Sequence, residues 1–185
     1  MREHGVLDRI LLIYEEGARR LRARREVPGD VFQRSAQLVR IFIEDYHSQT
    51  EQEVIFPELT RRGKLKDLID VLVAQHEAGR RLTDAILAAS ASDAYEKTES
   101  RIDLLMSIDA FVTMYRPHEA QEETVVFPAL YEVMTAADLA ALGEKAEDEE
   151  HQRLGHVGFE GTVTEVAAIE RVLEIENLAR FTPKA

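Results

Sequence analysis

The chain contains no cysteine and no tryptophan among its 185 residues, only five prolines and nine glycines, and no long apolar run. Without cysteine there can be no disulfide, thiolate ligand, iron–sulfur cluster or cysteine nucleophile, which is compatible with a reducing compartment. No apolar stretch reaches the roughly 18 residues of a membrane span. The start, Met1-Arg2-Glu3-His4-Gly5-Val6-Leu7, is not a basic head leading into an apolar signal core. Positive charge is also scarce: 23 basic against 35 acidic residues give a formal net charge of −12. A field of that sign favours cations and repels phosphates, and no basic stripe offers a footprint for nucleic acid. The expectation is a cytoplasmic protein, a monomer or weak homo-oligomer, with no nucleic acid and no membrane as partner.

What the chain does have is helical periodicity, at a length that suits one domain with an extension. A first helix is expected over residues 3–24, with Leu7, Ile10, Leu11, Tyr14 and Leu21 inward, stopping before Val27-Pro28-Gly29. Asp30 is placed to cap a second helix that runs to about Arg62 and ends at Gly63. A third covers 64–89, Ser90-Ala91-Ser92-Asp93 reads as a loop, and a fourth covers 94–134. Thr135 is placed to cap a fifth helix over 136–153, and Gly155 and Gly158 mark a loop before a sixth over 160–179. The predicted class is all-α: an up-down-up-down four-helix bundle over 1–135, with a helical extension over 136–185 packed on it.

One pattern occurs twice. His47-Ser48-Gln49-Thr50-Glu51 continues through Val54-Ile55-Phe56-Pro57-Glu58-Leu59, and His118-Glu119-Ala120-Gln121-Glu122 continues through Val125-Val126-Phe127-Pro128-Ala129-Leu130. On a helix, residues four apart share a face, so each copy aims an imidazole and a carboxylate at one point. Pro57 and Pro128 are expected to bend or break their helices below that point. Pro117 should distort the fourth helix at His118 itself. The remaining histidines complete the pattern, since His4 precedes His47 by 43 residues and His76 precedes His118 by 42. Each half of the bundle therefore has a lone histidine followed by an H-x3-E helix.

Four imidazoles and two carboxylates suit iron, zinc or manganese better than magnesium or calcium. A structural zinc site closes at four ligands, so a set of six argues for two ions. Glu51 and Glu122 can each span the pair, with the histidines as terminal ligands. For any single histidine, a hydrogen-bonded core position is the commoner role; the repetition is what singles out the set.

On these motifs the chain resembles the hemerythrin-like, or HHE cation-binding, family across about residues 3–134. The resemblance implies a bundle around a non-haem di-iron centre, oxo- or hydroxo-bridged. His4, His47, His76 and His118 match its terminal ligands, and Glu51 and Glu122 its bridging carboxylates. The resemblance has a departure: four residues after His76, where oxygen-carrying hemerythrins keep another histidine, stands Arg80. Both bridges, moreover, are glutamates at H-x3-E spacing. In that respect the chain is similar to di-iron proteins that repair iron–sulfur centres and to other bacterial hemerythrin-like proteins.

Other residues lie near the pattern. His151, in Glu147-Asp148-Glu149-Glu150-His151, is a candidate additional ligand or ligand partner, set against a solvated acidic face. His156 reads as a loop residue. Tyr46 and Tyr115 could line a ligand pocket or pack in the core, and Glu77 and Arg80 could pair on the surface or gate the site. His4 needs the chain start tied down by Leu7 and Leu11. The function implied is binding of a small diatomic or reactive oxygen/nitrogen species (O2, NO or peroxide) at an open position of the carboxylate-bridged pair, with an electron-donor protein as partner. Iron storage, sensing or donation, including iron–sulfur centre repair, without turnover is the alternative. A metal-free helical interaction module is a third.

Overall fold

Apolar residues at three- and four-residue spacing give α1 (Arg2–Arg22) a continuous inward face: Val6, Leu7, Ile10, Leu11, Ile13, Tyr14, Ala18 and Leu21 are all buried. The computed structural model describes residues 2–28, 30–91, 97–155 and 158–183. Among them there is no strand, and no helix is long and apolar enough to cross a membrane. The second helix, α2, is continuous over 31–60 but changes pitch, with π-helical turns at Val39–His47 and Glu51–Ile55 set between α-helical Val31–Leu38, Ser48–Thr50 and Phe56–Thr60. Helix α3 is Lys66–Ala89. Helix α4 spans 98–133, α-helical over Thr98–Gln121 and Phe127–Val133 with a π turn at Glu122–Val126 between them.

Helices α1 to α4 pack as a ring, each against its two neighbours, which is a four-helix bundle. Helix α5 (Ala136–Leu154) opens on a capping box in which Thr135 and Asp138 satisfy each other's free backbone donors. It lies across the π turns of α2, and α6 (Gly158–Val172) packs on α1 and α2. Helix α6 stops short of the expected residue 179 because Glu174 takes a left-handed φ of 54°. A single 3-10 turn, Leu178–Phe181, follows. Asp30 does not cap α2 with its side chain; its carboxylate goes to Arg34 instead. The segment 92–96 and His156 lie outside the described residues.

The interior holds two apolar cores. One is built on Leu7, Leu11, Phe32, Phe42, Ile108 and Phe111, with Val166, Ile169 and Leu173 of the extension. The other gathers Ile55, Phe56, Leu59, Leu72, Val126, Phe127 and Leu130. On all four bundle helices, a polar layer falls at the boundary of the first core, and on α2, α3 and α4 it separates the two.

Candidate metal centre

The polar layer begins with the backbone. Proline lacks an N–H and its ring crowds the carbonyl four residues back. Just ahead of each proline, the Phe56 and Phe127 amides reach back five residues, to Glu51 O and Glu122 O. The helices therefore do not break at Pro57 and Pro128 as expected; each widens by one residue and continues. Pro117 causes no such change, since the α-helical pattern runs through it to Gln121. In the π turn before His47, carbonyls are taken up by side chains. Arg80 donates to Glu44 O at 2.6 Å, Arg153 of α5 to Asp45 O at 3.0 Å, and Thr50 to Tyr46 O at 2.8 Å. π turns are found preferentially at functional sites, and here they carry His47, Glu51 and Glu122.

The structure brings His4, His47, Glu51 and Glu122 into one group able to hold a metal ion, and His76, His118 and Glu122 into another. All six residues are between 0% and 5% exposed. His4 Nε2 and His47 Nε2 are 2.9 Å apart, and His76 Nε2 and His118 Nε2 are 3.1 Å apart. Glu51 turns Oε1 toward His47 Nε2 at 3.4 Å and Oε2 toward His76 Nε2 at 3.5 Å. Glu122 turns Oε2 toward His4 Nε2 at 3.3 Å and Oε1 toward His118 Nε2 at 3.2 Å.

Protonation favours a cation. Burial pushes His76 down to about 3 and holds His47 well below its usual value, so both rings are neutral with a lone pair to offer. Burial, and then the charge of Glu122, push Glu51 well above the usual carboxylate range. All four oxygens of Glu51 and Glu122 are buried without a hydrogen bond of proper geometry. Two buried, unsatisfied carboxylates side by side are costly unless a cation lies between them. The donor set fits a metal.

The outward ring nitrogens fix the tautomers. His4 Nδ1 lies 2.8 Å from Glu123 Oε1, and His118 Nδ1 lies 2.9 Å from Gln75 Oε1. Both partners accept, so the proton sits on Nδ1 and the Nε2 lone pair is free. The amide of Gln52 lies 3.1 Å from His76 Nδ1. Sequence reasoning missed these three residues. A signal existed: Gln52 and Glu123 occupy matching places, each directly after a motif glutamate, and each reaches the outward nitrogen of a lone histidine.

His151 is a correction. The inward face of α5 is formed by Leu139, Leu142, Ala146, Glu150 and Arg153, and His151 falls off it, exposed, with Nδ1 bonded to Glu147 O at 2.9 Å. Arg80 neither gates the site nor pairs with Glu77; it binds Asp45 at 2.6 Å across to α2. Tyr115 packs edge-on to His118 with ring centroids 5.4 Å apart. His4 is tied down by buried Leu7 and Leu11. It is also held by Arg2, which pairs with Glu150 at 2.6 Å and lies 4.4 Å over the Phe159 ring.

Beside the layer, Glu119 is pushed up to about 8 by burial and by the nearby charges of Asp8 and Glu122. Its folded value exceeds the usual 4.5, so unfolding releases a proton and stability falls as pH rises from about 4.5 to about 8. In metal-free protein, Glu119→Gln should therefore raise Tm little at pH 5 and clearly at pH 8. A gain that does not grow with pH in thermal melts would contradict this assignment.

Residues 1–130 match the hemerythrin HHE cation binding domain. The chain belongs to the hemerythrin HHE family. Its cluster of buried histidines and glutamates is a metal-binding site of that family's kind. Among relatives of this hemerythrin-like chain, proteins of Mycobacterium bovis and of two strains of Mycobacterium tuberculosis, each described as uncharacterized, are 50% identical over 183 residues. That stretch is 99% of this chain and 72% of theirs. No solved structure matches it. The hemerythrin match ends before α5 and α6, which nonetheless contribute Arg153 and Glu150 to the supports of His47 and His4.

Proposed function

We propose that the six-residue layer holds two iron ions and that an open position on the pair binds a small diatomic or reactive oxygen/nitrogen species: O2, NO or peroxide. One observation carries this reading: each glutamate offers one oxygen to each histidine pair. His4 and His47 would hold one ion, His76 and His118 the other, and Glu51 and Glu122 would each offer an oxygen to both. Two imidazoles and two carboxylate oxygens per ion leave positions for an exogenous ligand. When bound, an iron pair supplies Lewis acidity and up to two electrons.

The chain's own residues do the rest. Glu123 and Gln75 hold the His4 and His118 rings in the ligating tautomer. Phe56, stacked on His76 with centroids 6.0 Å apart, and Phe127, 5.8 Å from His4, exclude water. Reducing electrons are proposed to come from a separate donor protein.

Protein purified without oxygen should contain about two irons per chain, with an optical spectrum that changes on adding O2 or NO. Less than about one iron per chain, or a spectrum indifferent to both gases, would overturn the reading. Iron that leaves readily to a mild chelator would favour the alternative of storage, sensing or donation.

A further inference from the structure

Phe127, Phe56 and Tyr115 stand against His4, His76 and His118, and beside His47 and Glu51 the centre meets a cavity of about 210 Å³. One wall comes from the bundle, through Ile55, Phe127 and Leu130. The opposite wall is the extension, through Leu139, Leu142, Gly143 and Ala146 of α5, beyond the part of the chain that matches the family. The lining is mainly apolar, with Glu3, Tyr46 and Thr50 at its edge.

Gly143 is the informative residue. After proline, glycine is the poorest helix former, so a glycine inside a helix calls for a reason. Close packing is not the reason here, because a Cβ at this position would meet nothing within 4 Å. Gly143 lines the cavity, and the space beside its Cα is open. The bare backbone leaves the space open.

We propose that this chamber binds a small, uncharged, apolar organic molecule of about six to ten non-hydrogen atoms, next to the His4/His47 half of the centre. The size follows from volume, since a dry cavity of about 150 Å³ accepts benzene. The class follows from the lining. Leucine, isoleucine, phenylalanine and alanine walls offer no partners to a polyol and desolvate an anion at a cost. A diatomic ligand would not need a chamber of this size, so the organic molecule is a second ligand.

Indole serves as the probe, titrated calorimetrically into the full chain both metal-loaded and after chelation. Saturable one-to-one binding is expected in both forms. Gly143→Phe, which places a ring in the chamber from a position with open space, should weaken binding at least about tenfold, with helical circular dichroism and metal content unchanged. Gly143→Ala should weaken it by less than about threefold. In the chelated form benzoate, of similar size but anionic, should bind far more weakly than indole. The proposal is overturned if indole does not bind, if Gly143→Phe binds it as tightly as wild type, or if benzoate matches it in the chelated form. Indole binding by a protein that takes up no iron would support the chamber while defeating the function proposed above.

Discussion

Glu51→Gln is expected to remove most metal binding and, at the same time, to make the metal-free protein more stable. An amide has one oxygen where the carboxylate has two, so it cannot face His47 and His76 alike, and in the proposed centre both ions would share this residue. Iron should fall from about two per chain to less than about 0.5. The gain in stability has a separate cause. Without metal, Glu51 and Glu122 are buried side by side with no oxygen hydrogen-bonded, and burial together with Glu122 raises the Glu51 pKa. A group raised in this way stabilises the fold at low pH and loses that contribution as pH rises through the folded value. Glutamine removes the titration. Each kcal/mol gained is worth about 2–4 °C in Tm at this chain length. Metal-free wild type should therefore melt below the variant, increasingly so as pH rises, and metal-loaded wild type above it. A variant that keeps two irons, or that melts lower than wild type when both are metal-free, would contradict the assignment of Glu51.

Ending the chain at residue 135 is expected to abolish cooperative unfolding, although the family match stops at 130. Val166, Ile169 and Leu173 of the extension have no exposed surface and belong to the same core as Leu7 and Phe32. Deleting three such side chains returns the apolar surface they cover to water, a loss of about 1.5–3 kcal/mol for each, and the sum is comparable with the total stability of an ordinary domain, about 5–15 kcal/mol. Polar ties go with them. Arg9 pairs with Glu170 through two bonds of 2.8 and 2.6 Å, and Arg20 donates to Leu173 O at 2.5 Å. Arg2 would lose both Glu150 and Phe159, so His4 would keep Glu123 but lose the tie that fixes the start of its helix. Near-ultraviolet circular dichroism and calorimetry should show lost tertiary packing, and iron uptake should fall. A soluble 1–135 fragment with a sharp melt and full metal content would show that the extension is dispensable.

The six residues of the polar layer were legible because the pattern is redundant. Two copies of one motif and two lone histidines at matched intervals state the same geometry twice, and all six side chains meet in the folded chain. The helices themselves were legible from their apolar periodicity. The prolines misled, because proline forbids a hydrogen bond without saying how the helix will respond. A break and a widened turn look alike in the sequence. Gln52, Gln75 and Glu123 were hidden for a different reason: on a helix, a polar residue that holds a ring nitrogen resembles any solvated polar residue. Arg153 was masked likewise by the acidic run around it. Which face an amphipathic helix presents is plain for α1, where the apolar stripe is dense, and obscure for α5, where Leu139, Leu142 and Ala146 are thinly spaced among charges. That is why His151 looked eligible.

The widened turns also set the angular phase of the bundle. An α-helix advances about 100° per residue, and a turn closed by a five-residue bond holds one residue more than its neighbours. Everything beyond the turn is thus rotated by about that angle from where an uninterrupted α-helix would place it. In α2 and α4 alike, this offset falls between the first apolar core and the second. Ile55, Phe56 and Leu59 face inward because of it, as do Val126, Phe127 and Leu130. Deleting one residue from Glu51–Ile55 or from Glu122–Val126 would remove that widening and swing the side chains beyond it out of line. In this protein, the irregular backbone at the centre keeps the two ends of the bundle in step.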